Sequence, residues 1–361
     1  MDPSRLTFDF DRYPYLTAAL SGTGGRIRAE AEDFAVTEVP AYRPSGEGEH
    51  LYVFFEKRGL TTRQIFDHLH QELRIPEKAI GVAGLKDKHA VTRQWISLPA
   101  RYADRLRQLD QLPGVRILET GLHTNKLGVG HLRGNRFEIV VRDVVPEALS
   151  TAQKVLFQLE RLGVPNYYGP QRFGLGGRNP LRGYELVTRG KGRGRPWLKK
   201  FLIGSLQSLL FNDWLALRLE RGLYDRVLPG DVAKKHATRG EFLVEDPEAE
   251  NPRAAALEIS ATGPLQGRKY FEARDAARAL EDEVLAAYEL TREQFRARKG
   301  ARRPIRFPLE EATVEAVDGG LRLAFFLPKG AYATALLREV MKKNPEADGP
   351  GDADEGGAEK R

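Results

Sequence analysis

The chain of 361 residues contains no cysteine. That absence excludes disulfides, zinc–thiolate sites, iron–sulfur clusters and a cysteine nucleophile. Methionine is almost missing too, with two residues, and the seven histidines are scattered. No HExxH pattern occurs. His68 and His70 lie two apart near a predicted helix end, which suits a solvent-facing pair better than a metal site. Neither a GxxxxGK[ST] loop nor a GxSxG elbow is present, so nothing supports a P-loop nucleotide site or a hydrolase triad. The glycine-rich run from Phe173 to Pro180 has no apolar strand before it and is a weak dinucleotide signal. No stretch approaches about 18 consecutive apolar residues, so no membrane-spanning helix is expected. The opening MDPSRLTFDFDRYPYL lacks a basic segment followed by an apolar one. No signal peptide is expected, and the expected location is cytoplasmic.

Against these absences stand a 41% hydrophobic share, enough for a sizeable core, and an uneven charge. Net charge is +7 for the whole chain. The last 18 residues, Asn344 to Arg361, carry −4, which leaves +11 on the first 343. A body that basic points to a polyanionic partner. Two clusters carry much of the charge. Nine bases fall between Gln171 and Ile203, including Arg172, Arg178, Arg193, Arg195, Lys199 and Lys200, against one acid. Seven more fall between Arg292 and Arg306, including Arg302 and Arg303, again against one acid. The glycines of RGKGRGRPW let backbone approach phosphates while arginine supplies charge. A solvated loop is the competing reading. No helix-turn-helix, zinc finger, RRM aromatic run or KH loop is recognisable, so charge alone does not choose between DNA and RNA.

Periodicity gives the organisation. Residues 26–55 read as strands, with EDFAVTEV and LYVFF joined through PSGEGEH as a long-loop hairpin. Thr61 to Leu73 reads as a helix with a capping box, Thr61 and Gln64, and an apolar stripe of Ile65, Phe66, Leu69 and Leu73. Arg133 to Asp143 is an alternating strand, and 146–162 a helix. Helical patterns dominate 197–223 and 272–298. Strand signal returns after Ile305, with a hairpin turn at Asp318-Gly319-Gly320, and YATALLREVMKK closes as a helix. Strands and helices mix without a strict β-α-β rhythm, so the expected class is α+β. The simplest partition makes 163–306 an insertion into an α+β domain built from 1–162 and 307–343, followed by a disordered acidic tail at 344–361.

The loop GLKDKHAVTRQW holds the one constellation with chemical promise. Asp87 lies between Lys86 and Lys88, after Gly84 and before His89. A carboxylate among cations can act as nucleophile or base. It can equally be a solvated turn residue, and spacing does not separate the two.

Several segments resemble the TruD family of tRNA pseudouridine synthases. They are Glu32-Asp33-Phe34 with Val36 and Glu38, AGLKDKHAVTRQW (83–95), KLGVGHLRGNRFEIVVR (126–142), GVPNYYGPQRFG (163–174), SLQSLLFN (205–212), GDVA (230–233), ATGPLQG (261–267), RRP (302–304) and LPKGAYATALLRE (327–339). They run in order from about Gly22 to Glu339. The resemblance implies a pseudouridine-synthase-type catalytic domain with a mixed sheet and flanking helices, interrupted by a family-specific α+β insertion. It implies isomerisation of a uridine in tRNA, at position 13 of the D arm, with no cofactor or metal. The family's catalytic aspartate falls on Asp87. Its basic residue before EDF falls on Arg28, where many members have lysine; arginine keeps the charge but differs in reach and donor geometry. The NxF signature falls on Asn135 and Phe137, and the EDF aromatic on Phe34. Arg28 would pair with Asp87 and fix its rotamer. Phe137 would stack on a flipped uracil unless it is simply core, Asn135 would bond the Asp87 loop or the substrate, and Phe34 would line the pocket. The expected partner is tRNA, tRNA-Glu among others, bound by a monomer that needs no membrane. A non-catalytic structured-RNA-binding protein and a base-flipping DNA enzyme remain as alternatives from other classes.

Overall fold

Alternating apolar residues in the first and last thirds of the chain build one large sheet, and a helix-rich unit forms from most of the rest. The computed structural model describes residues 3–190 and 195–347. In chain order come β1 (Gly24–Arg26), β2 (Phe34–Pro40), β3 (His50–Arg58), α1 (Thr62–Gln71), β4 (Gly81–Val82), β5 (Val91–Pro99), α2 (Leu106–Leu109), β6 (Val115–His123), β7 (Leu132–Val144) and α3 (Ala148–Leu162). Then follow β8 (Val164–Pro165), α4 (Asn179–Arg189), α5 (Pro196–Glu220), β9 (Val232–Lys235), β10 (Glu241–Leu243), α6 (Pro247–Ala255), β11 (Ile259–Leu265), α7 (Asp275–Ala286), β12 (Ala301–Pro304) and β13 (Arg306–Phe307). Last are β14 (Glu310–Val317), β15 (Gly320–Pro328) and α8 (Ala333–Met341). The α+β class is as expected. Among the described residues no helix is long and apolar enough to cross a membrane.

One compact unit comprises Gly25–Leu149 and Glu310–Gly330. Its sheet runs β14-β15-β7-β2-β5-β3-β6, with β1 on β7 and β4 on β5. Only β2 and β5 among the pairs along this path are parallel. The expected β2–β3 hairpin does not form: β5 lies between the two strands. The reason is burial. β5 is covered along most of its length, so it needs a ladder on both edges, and the loop between β2 and β3 is long enough to let them part. The β14–β15 hairpin does form. Val317 pairs with Gly320 across Asp318-Gly319, and Gly319 takes the left-handed φ of +72° that such a turn requires. Helix α1 has the expected capping box, Thr61 with Gln64. It buries Ile65 and Leu69 against β3 and β5 residues such as Phe55 and Ile96.

The second compact unit comprises, among the described residues, 3–24, 150–190, 195–309 and 331–347. Its boundaries differ from the expected 163–306. The N-terminal segment and α8 belong with the helix-rich unit because they are tied to each other inside it. Glu339 of α8 accepts hydrogen bonds from the main-chain N–H of Leu16 and Thr17 and from the Thr17 hydroxyl. Most of α3 belongs there too. Helix α5 is buried on nearly all sides, which explains its weak amphipathic pattern. A four-stranded sheet, β10-β9-β11-β12, packs with it. Arg218 of α5 and Asp231, just before β9, form a buried pair at 3.0 Å. The helical pattern expected over 272–298 ends early, at Ala286, and resumes only as a short 3-10 turn, Arg292–Phe295. The acidic tail expected to be disordered lies outside the described residues from 348 onward.

His236 supplies a pH prediction. Its Nε2 lies 2.8 Å from the Ser260 hydroxyl, which also accepts from Arg306 Nε at 3.0 Å. Burial first, then repulsion from Arg306 and Lys234, pushes the imidazole down to about 4 from 6.5. Between those values the unfolded chain binds a proton that the folded chain refuses. Stability is therefore full above the unfolded value and falls as pH drops toward the folded one. With partial exposure discounted, the loss from pH 7 to pH 5 is about 1 kcal/mol. Urea unfolding at the two pH values should show this loss in the wild type and a smaller one in His236→Gln. An equal loss in both would remove His236 as the cause.

Candidate active site

Strand register places most of the site on one face. Antiparallel pairing sets Glu38 opposite Asn135, Val36 opposite Phe137, and Phe34 opposite Ile139. Across the other edge of β7, Leu327 meets Asn135 and Phe325 meets Phe137. Directly opposite residues share a face, so Phe34, Glu38, Asn135, Phe137 and Phe325 lie on the same side of the sheet. Their rings form a chain. Phe34 meets Phe137 edge-on at 6.2 Å between centroids, and Phe137 stacks on Phe325 at 5.4 Å.

Asp87 sits in the loop between β4 and β5. The loop is pinned just before it. The Lys86 N–H donates to the Thr62 hydroxyl at 3.0 Å, and Thr62 is the buried first residue of α1. The Lys86 ammonium meets Glu38 at 3.0 Å, both nearly excluded from solvent. The carboxylate of Asp87 receives a hydrogen bond from the Arg28 guanidinium at 2.8 Å, with side-chain exposures of 8% for Arg28 and 23% for Asp87. Arg28 also lies 4.3 Å above the Phe34 ring, a cation–π contact that restricts its swing. Its φ of +58° is left-handed, a conformation that a non-glycine residue adopts at a cost and that recurs at functional sites. The arrangement is a partly open carboxylate fixed by a covered cation above an aromatic floor.

Among the residues expected from sequence, Asp87, Arg28 and Phe34 are in direct sequence of contact. Phe137 is a packed member of the apolar face, 8% exposed, with one ring face covered by Phe325. Asn135 reaches the same side of the sheet, and its Oδ1 is buried with no hydrogen-bond partner. Of the basic residues expected on the RNA backbone, Arg178, Arg195 and Lys200 are exposed, Arg172 and Lys199 are half-buried, and Arg193 lies outside the described residues. Arg172 donates to the Ser208 hydroxyl at 3.0 Å.

Arg302 and Arg303, also expected on the RNA backbone, are buried instead of solvent-facing. Arg302 is buried on β12, paired with Glu281 at 2.7 Å and bonded to Thr262. Arg303 is buried against Asn166, with its guanidinium 3.9 Å above the Tyr168 ring. A β-strand alternates its faces, but β12 is covered on both, so neither charge reaches solvent. Sequence reasoning assigned no role to Glu38 or Lys57. The signal was present, since each is an ionisable residue on an otherwise apolar strand face: Phe34, Val36, Glu38 and Val53, Phe55, Lys57. Among the described residues no group of three or more histidines or carboxylates is placed to hold a metal.

Comparison with known proteins gives the family. The family model for tRNA pseudouridine synthase D (TruD) matches residues 12–189 and 195–340. The protein named tRNA pseudouridine synthase D in Thermus thermophilus is 66% identical over 338 residues, 93% of this chain and 94% of that protein. The one so named in Anaeromyxobacter dehalogenans is 45% identical over 353 residues, covering 94% and 99%. In fold, the chain is similar to the crystal structure of a Methanosarcina mazei protein carrying the TruD name, with a TM-score of 0.71 at 24% identity over 95% of this chain and 98% of that one. The chain belongs to the TruD family of tRNA pseudouridine synthases.

Proposed function

We propose that this protein isomerises a single uridine of tRNA to pseudouridine, at position 13 in the D arm, with tRNA-Glu among its substrates, and that it works as a monomer. The observation that carries the reading is the Arg28–Asp87 pair at 2.8 Å, held over Phe34. Binding alone does not need an anion fixed among cations; a reaction that needs a nucleophile or base does.

The reaction breaks the N1–C1′ glycosidic bond, turns the base and joins C5 to C1′. N1 gains a proton and C5 loses one, so no oxidant or reductant enters. A stacked uridine must first leave its helix. Asp87 then starts the isomerisation as nucleophile or base, while Arg28 holds its carboxylate in one rotamer. The Oδ1 of Asn135, buried without a hydrogen-bond partner, accepts an N–H of the flipped uracil. Phe137 stacks on the flipped uracil, a contact typically worth about 1–3 kcal/mol, and Phe34 lines the pocket. Incubating unmodified tRNA-Glu with the protein and mapping pseudouridine tests the position. Conversion at 13 is expected; conversion at another uridine only would reject the position and leave the activity standing.

The helix-rich unit supplies the phosphate contacts through Arg172, Arg178, Arg195, Lys199 and Lys200. Each phosphate contact releases counterions and adds about 0.7–0.9 to the slope of log affinity against log salt. Charge reversal of Arg195 and Lys200 together should weaken tRNA binding and flatten that slope by about 1.5. A slope unchanged from wild type would show that these side chains meet only solvent.

A further inference from the structure

Lys57 occupies a place where the sequence calls for a core side chain. On β3 the inward positions are Val53, Phe55 and Lys57, each at 0% exposure. Burying an ammonium is strongly unfavourable unless acceptors receive its protons, and a lysine has three to give. Its Nζ donates to the main-chain carbonyl of Leu60 at 2.6 Å and to that of Asp87 at 2.7 Å, with the carbonyl of Lys86 at 3.3 Å. One side chain therefore ties the end of β3 to the turn before α1 and to the loop that carries the reactive carboxylate.

We infer that Lys57 is a positioning residue for the isomerisation: it clamps the peptide of Asp87 from inside the unit, so that Arg28 has only the side-chain torsions of Asp87 left to fix. The inference rests on the reading of Asp87 as the reacting group. Three anchors then act on two consecutive residues. Thr62 takes the Lys86 N–H, Glu38 takes the Lys86 ammonium, and Lys57 holds the carbonyls of Lys86 and Asp87. Arg28 reaches the carboxylate from the opposite end of the residue. Without the ammonium, the Asp87 carbonyl would be left facing an apolar interior. A buried acceptor without a donor moves toward water or another donor, and the loop would turn with it. Displacement of a reacting group by about 1 Å can cost about 100-fold in rate.

The test compares wild type, Lys57→Met and Lys57→Gln in the full chain. Methionine fills similar space without donors, and glutamine restores a donor at shorter reach. The expected result for Lys57→Met is a single-turnover rate at saturating enzyme lowered by about 100-fold, with tRNA Kd within about threefold of wild type. Lys57→Gln should recover part of that rate. Amide hydrogen exchange should quicken in residues 84–89 while β3 and β5 stay protected. A folded Lys57→Met with a rate within about threefold of wild type would overturn the inference. So would parallel loss of rate, affinity and protection across β3 and β5, which marks a merely structural residue. If the methionine variant does not fold, the glutamine variant is judged by the same three readouts. Wild-type conversion in the same assay keeps failure of this inference distinct from failure of the proposed activity.

Discussion

Asp87→Asn leaves tRNA binding within a few-fold of wild type and removes isomerisation. The amide has nearly the shape of the carboxylate, and its oxygen can still accept from Arg28, whose nitrogen lies 2.8 Å away. The anchors at Thr62 and Glu38 act on Lys86 and do not involve the Asp87 side chain, so the loop keeps its course. What disappears is the negative charge and with it the nucleophile or base. Losing a positioned proton-transfer group alone costs about 10²–10⁴-fold, and losing a nucleophile costs at least as much. Single-turnover conversion of tRNA, with the variant's mass checked to exclude deamidation back to aspartate, measures the effect. Turnover near wild type would take Asp87 out of the reaction.

The second large effect is expected at Arg28, where arginine stands at a position that carries lysine in many members of the family this sequence resembles. Arg28→Met should lower the single-turnover rate by about 100-fold, because the carboxylate loses the group that sets its rotamer. Arg28→Lys should lose about tenfold: the charge survives, but the planar donor fork and its stacking over Phe34 do not. Both substitutes inherit the same left-handed backbone, so strain does not separate them. Melting should change little, since an ion pair that keeps solvent contact at Asp87 adds little net stability. Equal rates for the methionine variant and wild type would show that Arg28 does not orient Asp87.

The parts of the fold that sequence made legible are local ones. The capping box at Thr61 and Gln64 marks α1 because both partners lie within one turn. Asp318-Gly319 marks the β14–β15 hairpin because two residues decide the turn. The position of β5 between β2 and β3 was not legible, since non-adjacent pairing depends on which strand must be buried on both edges. Asp87 itself could not be told from a solvated turn residue by spacing. What the fold adds is the covered Arg28 guanidinium, brought to the carboxylate from 59 positions away. Arg302 and Arg303 show the converse. A run of bases reads as a surface, yet these two are consumed by Glu281, Thr262 and Asn166 inside the unit, and the sequence names no such partners. Glu38 and Lys57 were readable in principle as charges on apolar faces, but alternation says only that a partner must exist and not which one.

The account's central claim, that this chain isomerises uridine in tRNA through Asp87, is tested most directly by a pseudouridine map of unmodified total tRNA incubated with the wild-type protein and, in parallel, with Asp87→Asn. One new pseudouridine site with the wild type and none with the variant is the predicted result. No new site with folded wild-type protein, or the same site filled at the same rate by the variant, would contradict it.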